Sequence, residues 1–241
     1  MTFFLRLALL SAALFASPIA QAASQQDLAR AADASLSEAE RMSSFNRLVM
    51  DFSTARPMLE ATIRDQDADS RQRWVAARVM GQSSSKDALA PLLLMSADPQ
   101  PAMRAAAAAA LGDLRDAGGV ERLCELLKDE AIMVRAEAAT ALGRCRDERG
   151  ARALEAALRD PTNFYRGSSL WVRARYVEAI AEIGLRSSVP ALVACLEDRD
   201  PAVGDASLIA LRKITGMNLN EGRTAAEEKE AWRRWAAAQR F

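Results

Sequence analysis

The side chains that usually carry out catalysis are sparse in this chain of 241 residues. It contains no histidine, which removes the usual general base, the Ser-His-Asp and Cys-His arrangements, and every metal site built on imidazole. A hydrolase built on carboxylate pairs such as Glu121 and Glu125 remains an alternative, although acids four residues apart are ordinary on a helix surface. We therefore predict a protein that is not an enzyme and that has no catalytic residues, metal site or cofactor.

One segment concentrates residue types that favour binding over catalysis. Phe164, Tyr165 and Arg166 are consecutive, and Trp171 follows shortly after. Tyr, Trp and Arg are enriched among the residues that dominate binding energy at protein interfaces. We predict that these four residues bind a partner, the alternative being that the aromatic side chains fold back onto the neighbouring part of the chain.

The elements that position this segment recur every 31 residues. Equivalent starting points are Gln72, Met103, Val134, Val172 and Val203. An arginine follows the first four of them (Arg73, Arg104, Arg135, Arg173), whereas Gly204 follows the last. The units close on Asp98, Asp129, Asp160 and Asp198. A period of this length is typical of stacked structural repeats.

Each unit has the apolar pattern of two helices. In the unit that begins at Val134, apolar residues recur at helical spacing up to Cys145, and again from Ala151 to Leu158. The step from Val134 to Val172 is seven residues longer than the others, and the excess forms the segment with the aromatic residues. Insertions of this kind map to loops on one face of a repeat array, often the binding face.

The repeated residues resemble the bacterial HEAT-like repeat. The resemblance is carried by Met103-Arg104 through Leu111-Gly112, by Val134-Arg135 through Leu142-Gly143, and by Val172-Arg173 through Leu192. It implies an all-α fold, a right-handed α-solenoid of stacked antiparallel helix pairs with about five repeats and a degenerate N-terminal cap. In this family the recurring Arg and Asp residues form a ladder between repeats, which implies structural roles for Arg104, Arg135, Arg173 and their Asp partners.

The cysteines fit the same repeat pattern. Cys145 occupies the position that Leu114, Ile183 and Ile214 fill in other units, so we predict that it is a small buried hydrophobe. With Cys124 and Cys195 it is expected to be a free thiol, the alternative being one disulfide and one free cysteine.

The repeats define the predicted domains. Residues 1–22 are predicted to be a signal peptide, 23–70 an N-terminal helical cap, 71–216 the HEAT-like repeats and 217–241 a C-terminal capping helix. In the N-terminal cap, one helix is predicted to extend to Phe52, and Pro57 to open a second. In the C-terminal helix, Trp232 and Trp235 are expected to seal the last apolar surface.

The first residues have the features of a secretory signal. Arg6 precedes the apolar run 7–16, and Ala20-Gln21-Ala22 has the small-x-small pattern of a cleavage site. We predict cleavage after Ala22 and a periplasmic or secreted protein. Without Arg6, 31 of the 32 basic residues remain against 32 acidic ones, a net charge of −1.

This charge balance opposes nucleic-acid binding, which needs a clustered basic surface. The expected partner is another protein, the mature chain is expected to be monomeric, and no membrane span is predicted in it. A second candidate surface is formed by the second helix of each unit, which the family resemblance places on the inner face. It includes Arg122, Glu125, Arg152 and Glu155.

The predicted function is that of a non-enzymatic, exported HEAT-repeat scaffold or adaptor that mediates protein–protein interaction. The alternative is a HEAT-like accessory or maturation factor with lyase-like or chaperone-like activity. Deoxyhypusine hydroxylase, which has this repeat, needs histidine ligands to iron that the present chain lacks.

Overall fold

The computed structural model describes residues 18–222 and 224–239, which form α-helices, short 3-10 turns and one two-stranded hairpin. The predicted all-α fold is confirmed. The chain divides into two compact units, one ending at Ser83 and the other beginning at Ser84. None of the helices in the described ranges is both long enough and apolar enough to cross a membrane.

The first unit contains four helices. They are α1 (Pro18–Ala32), α2 (Glu38–Met50), α3 (Phe52–Arg64) and α4 (Ser70–Gln82). Helix α1 packs against the other three, and Leu28, Phe45, Leu48 and Leu59 are all buried in this unit. A capping box, in which Ser37 and Glu40 satisfy each other's backbone N–H groups, fixes the start of α2.

Two details of this unit differ from the sequence prediction. Phe52 begins α3 instead of ending α2, and Pro57 lies inside α3 instead of opening it. Only Asp51 separates the two helices, so the chain returns to helical geometry before it reaches the proline. The proline then removes one backbone hydrogen bond from α3 without ending the helix.

The predicted signal peptide lies mostly outside the described residues. Arg6 and the apolar run 7–16 are not among them. Residues 18–22, which contain the predicted cleavage pattern, form the beginning of α1. Cleavage after Ala22 and the predicted domain boundaries stay predictions.

The second unit is a row of helix pairs. Its helices are α5 (Leu89–Met95), α6 (Pro101–Leu114), α7 (Val120–Leu126), α8 (Ile132–Cys145), α9 (Glu148–Arg159), α10 (Val172–Ile183), α11 (Val189–Ala194), α12 (Pro201–Thr215) and α13 (Ala225–Ala237). The first helices of successive repeats pack side by side, α6 on α8, α8 on α10 and α10 on α12. The second helices α7 and α9 pack in a parallel layer.

Small residues let the first helices approach closely. A Cβ atom added to Gly112 would lie 2.6 Å from the Cα of Ala141 on the next repeat. Ala138, Ala141 and Leu142 are completely buried at this contact. Each repeat therefore buries its apolar face against its neighbour, which is why a single repeat does not fold as a separate domain.

The Arg–Asp ladder predicted from the family resemblance is present in two of its three positions. Arg104 donates from Nε and Nη2 to both carboxylate oxygens of Asp129, at 2.7 and 2.8 Å, and from Nη1 to the carbonyl of Asp98. Across the later repeats, Arg173 pairs from Nη1 with one carboxylate oxygen of Asp198 and donates from Nε to the carbonyl of Leu158. These pairs tie the turn before each first helix to the turn that follows the repeat.

Arg135 departs from the ladder that the family resemblance implies. Arg135 is buried and donates to the carbonyl of Asp129 at 3.0 Å, but it forms no ion pair within the described residues. Asp160 instead accepts from the backbone N–H and the hydroxyl of Thr162, at 2.8 and 2.6 Å. The inserted segment begins at this point, and Asp160 caps the short turn 161–163.

The last helix covers the end of the row. Trp232 of α13 is completely buried, as expected for a packing group, and meets Trp235 edge to face at 5.5 Å between ring centroids. Its indole N–H donates to the buried Glu228, which also receives three hydrogen bonds from Arg212 of α12. The apolar contact and the ion pair together fix α13 on the preceding repeat.

Candidate functional site

The inserted segment forms a short β-hairpin between α9 and α10. Strand β1 (Phe164–Tyr165) pairs antiparallel with β2 (Ser168–Ser169), with Phe164 opposite Ser169 and Tyr165 opposite Ser168. Arg166 and Gly167 form the turn, with φ angles of 49° and 77°. Two consecutive residues with positive φ give the type I′ geometry that matches the twist of a two-residue hairpin.

The base of the hairpin is fixed to the Arg–Asp ladder. The hydroxyl of Ser169 donates to Asp198 at 2.6 Å and also accepts a hydrogen bond from Arg173. Burial raises the pKa of Asp198, but hydrogen bonds from Ser169, the Asp200 N–H and Arg173 outweigh it and hold that pKa below its usual value. The hairpin is therefore built on the ionic groups that join the repeats.

A buried polar contact supports the hairpin from below. Asn163 is almost completely buried; its amide donates to the carbonyl of Ala157 at 3.0 Å, and its side-chain oxygen accepts from the Tyr176 hydroxyl at 3.2 Å. The Leu170 N–H donates to the Asn163 carbonyl at 2.9 Å, which closes the loop. Burial raises the pKa of Tyr176 to about 12, so its hydroxyl remains a donor at neutral pH.

The four predicted binding residues separate into two groups. Phe164 is half-buried and its ring lies 4.2 Å from the guanidinium carbon of Arg173, so this aromatic packs onto the ladder. Tyr165 and Trp171 are instead 64% and 52% exposed. Arg166 is also exposed and lies over the Tyr165 ring at 5.3 Å. The surface formed by Tyr165, Arg166 and Trp171, called here the hairpin surface, is the part that is free to meet a partner.

The residues predicted on the second helices are placed less favourably for binding. Arg122 donates to the hydroxyl and the carbonyl of Ser96, at 2.8 and 2.9 Å, and pairs with Glu125, so it links two repeats. Arg152 pairs with Glu148 on the exposed side of α9. Glu155 is half-buried on the same helix. These side chains lie on α7 and α9, and three of the four already form ion pairs within the protein.

Sequence reasoning missed the polar residues that hold the hairpin in place. Ser169 and Asn163 look like ordinary loop residues in the sequence, and their roles depend on partners well away along the chain. A signal was present in the position of Ser169, which lies four residues before the ladder arginine Arg173. Only the tertiary structure shows that Asp198 completes the contact.

The cysteines of this unit are free and poorly suited to nucleophilic chemistry. Cys195 is buried, whereas Cys124 and Cys145 are only half-buried, so the prediction that Cys145 is a buried hydrophobe is wrong; it is the last residue of α8. Burial raises the pKa of Cys145 to about 11 and raises that of Cys124 and Cys195 as well. All three stay protonated at neutral pH, and the thiolate is the reactive form. Residues 18–222 and 224–239 contain no group of three potential metal ligands.

Comparison with known proteins agrees with this architecture. The family model for HEAT repeats matches residues 91–171 and 163–239. No curated protein matches the sequence significantly. Among solved structures, the complex of CpcE and CpcF of phycocyanin lyase from Nostoc sp. PCC7120 is 24% identical, with a TM-score of 0.57. The match covers 67% of the present chain and 65% of that one, so the chain spans slightly less than two thirds of this neighbour.

Two further solved structures are more distant. An engineered protein is 20% identical over 84% of this chain and 94% of its own, with a TM-score of 0.48. Human deoxyhypusine hydroxylase in complex with glycerol is 16% identical over 83% and 98%, with a TM-score of 0.33. The two matches to the HEAT-repeat model together span more than half of the sequence, over the same residues that form the row of helix pairs. The chain belongs to the HEAT-repeat family.

Proposed function

We propose that this chain is a non-enzymatic HEAT-repeat scaffold that is exported and holds another protein through the hairpin surface. The observation that carries the proposal is the exposure of Tyr165, on a hairpin fixed from below by Asp198 and Asn163, and of Trp171, which follows the hairpin at the start of α10. Exposed aromatic side chains on a rigid support lose little conformational freedom on binding, which favours tight association.

The proposal is tested by site-specific photo-crosslinking in cells. A benzoylphenylalanine residue replaces Tyr165, and in a control protein it replaces Met133, which is 49% exposed on α8. We expect a defined protein adduct from position 165 that is absent from position 133. With benzoylphenylalanine at position 165, Trp171→Ala should remove the adduct while the helical circular dichroism is unchanged.

The outcome depends on which side chains are altered. Phe164 is left intact in these variants, because its ring packs on Arg173 and its loss would disturb the ladder. An adduct that survives Trp171→Ala and is lost with Glu155→Ala would move the binding surface to the second helices. Absence of an adduct from both surfaces would contradict a scaffold function.

A second candidate is an accessory or maturation factor with lyase-like or chaperone-like activity. The observation that favours it is the likeness to the phycocyanin-lyase complex, although at this level of identity the likeness concerns the fold alone. The two functions differ in stoichiometry. A scaffold must be present in amounts equal to its partner, whereas a maturation factor changes the covalent mass or the refolding rate of the partner at a small fraction of that amount.

A further inference from the structure

A cleft of about 590 Å³ lies between α8 and α10, on the layer formed by the first helices. Four arginines line it: Arg115, Arg144, Arg146 and Arg175. Its volume falls within the range of ligand-binding clefts. The sequence patterns that predicted the hairpin and the second-helix surface do not include this cleft.

Two of these arginines occupy backbone positions that suit glycine. Arg115 and Arg146 end α6 and α8 with φ angles of 54° and 53°, and each donates its N–H to the carbonyl four residues earlier. Glycine occupies the corresponding position after α10, where Gly184 has a φ of 81°. A side chain in this left-handed conformation costs free energy that glycine avoids. Arginine in two adjacent repeats is therefore unfavourable for the backbone and is best explained by a use for the side chains.

The arginines of the cleft that form ion pairs do so with exposed or partly exposed carboxylates. Arg175 pairs with Glu178 at 2.8 Å, and Arg146 approaches Glu182 at 3.8 Å, all with side chains about half exposed or more. Arg144 pairs with Asp113, at 2.9 Å. Arg115 has no ion pair within the described ranges, and the lining residues carry four positive charges against two negative ones. Exposed pairs of this kind contribute little to stability, so an incoming carboxylate can replace the internal partner.

We propose that this cleft binds an acidic, extended segment of a partner protein. Guanidinium groups bind carboxylates through two parallel hydrogen bonds, and the exposed arginines can reorient toward a chain lying along the cleft. Glu178 and Glu182 each lie beside one of the arginines, which disfavours a compact anion with several charges on one centre. A peptide spaces its carboxylates and offers backbone N–H donors to these two glutamates. The cleft is a separate site from the hairpin surface, and its role does not depend on the function proposed for that surface.

The test measures binding of a fluorescein-labelled octaglutamate peptide to the purified protein by fluorescence anisotropy. The decisive variant is Arg115→Gly with Arg146→Gly, because glycine is the residue that the later repeat uses at this position. We expect at least a tenfold loss of peptide affinity with no decrease in the thermal midpoint. Ser84→Gly is the matched control: it relieves the same backbone conformation, with a φ of 55° at Ser84, outside the cleft, and should leave binding unchanged.

The remaining measurements separate the cleft from general electrostatic attraction. An octaglutamine peptide of the same length should not bind, and added salt should weaken the octaglutamate complex. Failure of octaglutamate to bind, or equal binding to the double glycine variant, would overturn the proposal. Displacement of the peptide by pyrophosphate at equal or lower concentration would also overturn it, because that result would indicate a site for small anions. None of these outcomes bears on the crosslinking test of the hairpin surface.

Discussion

At the scale of single residues, the buried ion pairs have unequal roles. Asp129 and Asp160 close successive repeats, yet only Asp129 receives two hydrogen bonds, one on each carboxylate oxygen, from a buried arginine. Burial raises the pKa of Asp129, but hydrogen bonds from Arg104 and the Ala131 N–H, together with the charge of Arg104, outweigh it and hold the pKa below its usual 3.8. The same sequence pattern thus gives two turn caps, of which only Asp129 also forms a buried ion pair.

The first prediction compares these two aspartates. Asp129→Ala should destabilise the protein by about 3 kcal/mol or more, because it leaves the buried Arg104 with only the exposed Glu130, at 3.4 Å, as a carboxylate partner. Asp160→Ala should cost about 1 kcal/mol, the value of a lost cap. Urea unfolding followed by circular dichroism measures both, and equal losses would contradict the distinction between the ladder and the cap.

The second prediction concerns acid. The lowered pKa values of Asp129 and Asp198 mean that their contribution is fully present above their unfolded-state pKa of about 4. It is lost as the pH falls through the lower folded-state values. The difference in unfolding free energy between the wild type and the Asp129→Asn, Asp198→Asn double variant should therefore be constant near neutral pH and shrink below about pH 4. A difference as large at about pH 2.5 as at neutral pH would show that geometry, not ionisation, is responsible.

At the scale of helices and strands, the repeat core and the hairpin should contribute differently to stability. Leu142 is completely buried on α8, which packs against both α6 and α10, whereas Tyr165 projects from a hairpin. Because each repeat contacts mainly its neighbours, a defect in the middle weakens the contacts on both sides. The hairpin is held by polar contacts at its base, so its exposed tip can change without affecting them.

The third prediction follows from this contrast. Leu142→Ala should cost about 2–5 kcal/mol through lost burial and a residual cavity. Tyr165→Ala should change the unfolding free energy by no more than about 0.5 kcal/mol. Chemical denaturation of the two variants side by side checks the prediction, and coincident midpoints would argue against it.

At the scale of the whole molecule, the composition limits the function more than the fold does. The HEAT-repeat family supplies an extended surface, and the lack of histidine removes the common catalytic arrangements from it. Export remains a proposal based on the first 22 residues. Ser24 and Leu28 of α1 are buried in the first unit and lie after the proposed cleavage site. Cleavage after Ala22 would therefore leave these two buried residues in the protein.

The fourth prediction is that the exported protein begins at Ala23. The intact mass of protein from a cell-envelope extract should correspond to residues 23–241, with α1 keeping Leu28 in the core of the first unit. Ala22→Leu should block processing, since the cleavage position needs a small residue. A full-length species confined to the cytosol would contradict export.

Sequence alone determined the helix pairs, because the apolar spacing around residues such as Leu142 is a local property that recurs in every repeat. It also indicated that Arg104 and Arg173 are structural, through the family resemblance. The exposed aromatic residues were identified by type and by the break in the period, and this much of the candidate site follows from local composition.

Tertiary structure decided which side chain meets which. That Phe164 packs while Tyr165 is exposed depends on the position of Arg173, and the role of Ser169 depends on Asp198, far along the chain. The cleft between α8 and α10 requires Arg115 and Arg175 to come together across three repeats. Such contacts arise from the packing of successive helices, and their energies depend on distances that spacing along a sequence does not specify.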